Sequence, residues 1–77
     1  MAQTTVLRIE GLTCDLCGKR VADALRRLPG VVRVEVDWRS GRCQVSHEDG
    51  VTIGDLVETV ANAARGTWHQ YTATPVP

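Results

Sequence analysis

Cys14 and Cys17 are separated by two residues in the run Gly11-Leu12-Thr13-Cys14-Asp15-Leu16-Cys17. A strand-like segment precedes them and a helix-like segment follows. Paired thiols at such a junction suit two kinds of chemistry, gripping a soft metal ion or cycling through a disulfide. In both, the thiolate is the reactive form. A cysteine at a helix start meets unpaired backbone N–H groups and the positive end of the helix dipole, which favour negative charge. Lys19 and Arg20 add positive potential, while Asp15 opposes it. The balance is expected to favour the thiolate form of at least one of the two cysteines.

Two thiolates with nothing else to complete a tetrahedron suit a thiophilic ion of low coordination number. Cu(I) and Hg(II) fit that description. Zn(II) fits less well, because structural zinc takes four ligands, and Cd(II) is placed with it. Further ligands would have to come from Cys43, His47 or His69, and none stands in a ligand spacing with the pair. Cys43 alternates with Val45 and reads as a small core residue. His47 and His69 read as surface or edge positions rather than ligands. Trp38 and Trp68 read as packing residues. An exposed site with two ligands lets an incoming thiol attack the ion directly, so it hands ions on. The alternative is a small dithiol–disulfide oxidoreductase, because strand–CxxC–helix also describes thioredoxin-like proteins. The chain is too short for that fold.

The elements that must position the thiols follow from the hydrophobic pattern. In residues 4–10, Leu7 and Ile9 alternate with Arg8 and Glu10, as in a half-buried strand. Residues 15–28 carry Val21, Ala22, Leu25 and Leu28 at helical spacing, and Pro29-Gly30 ends the run. In residues 31–38, Val32, Val34, Val36 and Trp38 are expected on one face. Arg39-Ser40-Gly41 reads as a tight connection to a returning strand over 42–47, with Cys43, Val45 and His47 on one face. Thr52 and Asp55 have capping-box spacing and open a second helix. Its inner face is expected to hold Ile53, Leu56, Val57, Val60, Ala61 and Ala64, with Gly66 as the breaker. Residues 67–74 read as a last strand, rich in β-formers. The order β-α-β-β-α-β predicts an α+β, ferredoxin-like fold, with a four-stranded antiparallel sheet carrying both helices on one face.

Composition narrows the function classes. At 77 residues the chain holds one domain, read as residues 1–74 with a Pro-containing tail or linker start at 75–77. Nine basic and nine acidic residues cancel, so the basic stripe that nucleic acid needs is missing. No stretch approaches a membrane span, and no secretory signal is visible. With an odd cysteine count, this predicts a cytoplasmic protein with reduced thiols.

The same residues carry a resemblance. The Gly11–Cys17 run resembles the Gly-Met-Thr-Cys-x-x-Cys motif of heavy-metal-associated domains. The likeness continues through Val21-Ala22-Asp23-Ala24-Leu25 and Leu28-Pro29-Gly30-Val31. The family includes copper chaperones, metal-binding domains of copper-transporting ATPases, the mercury-binding periplasmic protein and the N-terminal domain of mercuric reductase. The resemblance implies a metal held by Cys14 and Cys17, supported by a loop of Gly11, Leu12 and Thr13. Leu12 replaces the family's inward-packing Met. Tyr71 with Ala73 resembles the family's Tyr-x-Ala, whose tyrosine approaches the metal loop. Thr13, where zinc, cadmium and lead exporters carry Asp, points to Cu(I) or Hg(II). The Cys-Asp-x-Cys spacing resembles mercuric reductase domains, yet copper is the commoner family cargo, so Cu(I) is placed slightly ahead. The implied partner is a thiol-bearing acceptor, a transporting ATPase or reductase. The implied state is a monomer, or a dimer sharing one ion through four thiols.

Overall fold

The computed structural model describes residues 2–12, 15–65 and 70–76. The elements run β1 (Gln3–Glu10), α1 (Asp15–Arg27), β2 (Val31–Asp37), β3 (Arg42–His47), α2 (Ile53–Ala63) and β4 (Thr72–Pro75). The strands form one sheet in the order β2-β3-β1-β4, and every neighbouring pair is antiparallel. Helix α1 packs over β2, α2 packs over β4, and the helices touch each other. This is the expected ferredoxin-like arrangement.

The sheet turns one face to the helices. Leu7 and Ile9 are buried while Arg8 and Glu10 are exposed, as the alternation of β1 predicts. They meet Val21 and Leu25 of α1, Leu56 and Val60 of α2, and Val34, Cys43, Val45 and Ala73 of the other strands. Removing a leucine-sized side chain from water contributes about 1.5–3 kcal/mol. Leu7, Leu25 and Leu56, all without exposed surface, are therefore large terms in holding both helices to the sheet.

Three expectations change at the element ends. The alternation in β2 fails at Val32, which is 63% exposed. Val31 pairs with His47 and Arg33 with Ser46, so Val32 is the extra residue of a β-bulge and turns outward, while Val31 is half-buried. Helix α2 stops at Ala63, with Ala64 and Arg65 N–H bonding to Ala61 and Asn62 carbonyls in a tightened last turn. Its outer residues Ile53 and Ala61 are exposed, against expectation, because the buried stripe runs through Leu56, Val60 and Ala64. The expected breaker Gly66 lies outside the described residues. The last strand starts at Thr72 and runs through Pro75, and Val76 N–H still donates to the Val6 carbonyl at 2.9 Å. A proline is tolerated there because β4 is an edge strand.

His47 is a further correction. It is 2% exposed, not at the surface. It shares the inward face of β3 with Cys43 and Val45, and its ring is satisfied on both sides. Nε2 lies 2.6 Å from Thr5 Oγ1 and Nδ1 lies 3.0 Å from the Glu48 carbonyl oxygen. A buried imidazole is acceptable once both nitrogens are hydrogen-bonded. His69 and Trp68 lie outside the described residues.

Helix α2 opens with the expected reciprocal cap. Asp55 N–H donates to Thr52 Oγ1 at 3.1 Å, and Thr52 N–H donates to Asp55 Oδ2 at 3.0 Å. Helix α1 carries Asp15 in its first turn and Arg26 and Arg27 in its last, which complements the helix dipole at both ends.

Candidate metal centre

Strand β1 delivers the chain to the site. Gly11 follows Glu10 with φ +99°, a conformation that L side chains rarely adopt. A Cβ there would overlap the Gln70 carbonyl oxygen and sit 3.3 Å from Tyr71 Cδ1. Glycine is therefore required both by the backbone turn and by the close passage of the chain entering β4. Leu12 is half-buried and packs against the core, the inward role expected of it. Thr13 and Cys14 lie outside the described residues.

Helix α1 then begins at Asp15, so Cys17 sits in its first turn. Against the expectation of an exposed pair, its side chain is turned inward into the core, and the residue is only 3% exposed. Leu16 beside it is 68% exposed, an apolar side chain left in water. Gly18 is buried. A Cβ on it would lie 3.1 Å from Trp38 Cβ and 3.5 Å from Val36 Cγ1, so the missing side chain lets α1 sit close on the β2–β3 hairpin. Sequence reasoning passed over Gly18. An isolated glycine inside a helical pattern, which costs about 1 kcal/mol against alanine, was the available signal.

Tyr71 closes the site from the C-terminal side. It is 4% exposed, and its hydroxyl interacts with Cys17 and Arg20. Burial pushes the phenol pKa above its ordinary value. Hydrogen bonding with Cys17 and the charge of its sulfur push the same way, and the Arg20 guanidinium opposes them. The structure thus brings Gly11, Cys17, Arg20 and Tyr71 together.

Cys43 stays apart in character. It has no exposed surface, and burial pushes its thiol from 9.0 up to about 11. A thiol held protonated in an apolar core is a poor metal ligand and a poor nucleophile. Among the described residues, no three side chains of the His, Cys, Asp or Glu types converge as a metal cage. Within the same residues, no helix is long and apolar enough to cross a membrane.

Comparison with known proteins gives one consistent family. The model of the heavy-metal-associated domain matches residues 6–66. Over 57 residues the chain is 37% identical to a mercuric reductase of Shigella flexneri, covering 74% of this chain and 10% of the reductase. The chain thus spans about a tenth of the length of the mercuric reductases that it matches. Over 61 residues it is 34% identical to the copper chaperone CopZ of Bacillus subtilis, covering 78% of this chain and 87% of the chaperone. The crystal structure of oxidised MerP from Ralstonia metallidurans superposes with a TM-score of 0.86 at 24% identity, covering 100% of both chains, which establishes the shared fold. The chain belongs to the heavy-metal-associated domain family.

Proposed function

We propose that Cys14 and Cys17 together bind one soft, thiophilic cation and pass it to a partner's cysteine pair by thiolate exchange. Cu(I) is the first reading of the cargo. The observation that carries the proposal is the placement of Cys17 in the first turn of α1, in contact with the Tyr71 hydroxyl, which Arg20 also approaches. A hydrogen-bond donor and a guanidinium next to a thiolate stabilise its charge, and the helix start adds the backbone dipole. Cys14 supplies the second sulfur from the adjoining loop. Gly11, Leu12 and Thr13 shape that loop, and Tyr71 covers it.

Two sulfurs suit Cu(I) and Hg(II) better than Zn(II) or Cd(II), which take fuller coordination shells. The similarity to mercuric reductase supports Hg(II) as a second reading. The acceptor would be a transporting ATPase or a reductase that presents its own thiol pair. Transfer would occur in the cytoplasm, between monomers that transiently share the ion.

X-ray absorption on the loaded, reduced protein tests the coordination. Two sulfur neighbours and no nitrogen are expected. Bound nitrogen, or three or more sulfurs in the monomer, would contradict the proposal. Reduction of a model disulfide at useful rates by metal-free protein, with no metal uptake, would favour the oxidoreductase alternative.

A further inference from the structure

The proposed exchange at Cys14 and Cys17 raises the question of what delivers the ion, and a groove beside the site supplies an answer. Helices α1 and α2 leave an open depression of about 600 Å³ between them, lined by Leu16, Lys19, Arg20, Asp23, Arg27 and Asn62 among others. The chain as a whole has no net charge. The groove, by contrast, gathers three cations against one carboxylate. That carboxylate is already engaged, because Asp23 Oδ1 lies 3.3 Å from Arg26 Nη1. The depression is therefore strongly cationic, and it runs along the helix that bears Cys17.

We infer that this groove binds the carboxylates of a small anionic thiol whose sulfur carries the metal to Cys14 and Cys17. Size and charge both favour such an occupant. A volume of about 600 Å³ falls within the roughly 300–1,000 Å³ typical of small-ligand sites. Exposed Leu16 lies at the groove's edge next to Cys17, where it can cover the ligand's methylene groups. Lys19, Arg20 and Arg27 are spread along the helix so that two separated carboxylates can each meet a cation.

The exchange balances without an oxidant or a reductant. In a complex of one metal ion with two small thiolates, each protein sulfur forms one metal–sulfur bond as one bond to a small thiol breaks. The metal keeps its oxidation state. Each departing thiolate takes up the proton that a protein cysteine released.

S-methylglutathione is a suitable probe, because it keeps both carboxylates of glutathione but has no thiol to bind metal or protein. Added to the reduced, metal-free protein, it is expected to give saturable amide NMR shifts at Lys19, Arg27 and Asn62. Arg27→Gln should weaken binding by about two- to fivefold, and Asp23→Asn should tighten it by a similar factor, as for single exposed charges. Hg(II) uptake gives a second reading. Arg27→Gln should slow uptake from the glutathione complex and leave uptake from the neutral 2-mercaptoethanol complex unchanged. Absence of saturable shifts would overturn the inference. So would equal slowing with both complexes, or shifts produced by an acidic peptide alone. In each of those cases wild-type uptake from 2-mercaptoethanol persists and the metal-binding proposal stands. Loss of uptake from both complexes in the wild type would overturn that proposal instead.

Discussion

Gly11 and Tyr71 meet at the base of the metal loop, where a side chain on Gly11 would press to 3.3 Å from Tyr71 Cδ1 and overlap the Gln70 carbonyl. The end of β1 and the entry to β4 are thus locked by the absence of one Cβ. Gly11→Ala is expected to destabilise the fold by about 1–3 kcal/mol, the cost of a strained backbone position. It should also weaken metal binding, since the loop must shift. Chemical denaturation and metal competition measure the two effects. Unchanged stability would show that the loop yields freely.

Tyr71→Phe isolates the hydroxyl. The ring still fills its buried position, so stability should change by no more than about 1–2 kcal/mol. The Cys17 thiolate loses a neighbouring donor, and metal affinity at neutral pH should fall by about tenfold, within the range for residues that orient ligands. Competition against a chelator of known affinity is the measurement. Equal or tighter binding would mean that Tyr71 does not support the thiolate.

Cys43 gives a prediction in alkali. Its folded pKa is about 11 against 9.0 when exposed, so the folded state holds the proton more tightly. The stabilisation is fully present below pH 9 and is lost as pH rises towards 11. Two units correspond to about 2–3 kcal/mol. Tyr71, also raised by burial, adds loss in the same direction. Cys43→Val should therefore flatten the fall in stability between about pH 9 and 11. An identical pH profile would contradict this.

Gly18 sets the distance between α1 and the hairpin. Gly18→Leu would drive a side chain into Trp38 and Val36 and should cost about 1–3 kcal/mol. Because Cys17 adjoins it, the shift should also reduce metal affinity, read in the same competition assay. A stability gain from improved helix propensity alone would show that the contact has slack.

Most of the fold was legible because the strands alternate cleanly and the helices keep their apolar spacing. Leu7 and Ile9, Val21 and Leu25, and the Thr52–Asp55 cap all stand where the pattern puts them. Val32 was not legible, since a bulge shifts register without changing residue types. His47 was not, because its burial depends on a partner, Thr5, that is distant in sequence. The β-forming residues before Thr72 disguised where β4 begins. At the proposed site, the metal reading rests on the spacing of the two cysteines. Burial of Cys17, the proximity of Tyr71 and the close packing of Gly18 needed three dimensions.

The central claim is a dithiolate made by Cys14 and Cys17. The most direct measurement is metal retained per chain after gel filtration under reducing conditions, for the wild type and for Cys14→Ser and Cys17→Ser. The account predicts one Cu(I) or Hg(II) per wild-type chain, with retention abolished by either substitution while the fold persists. Equal retention by the wild type and the serine variants would contradict it.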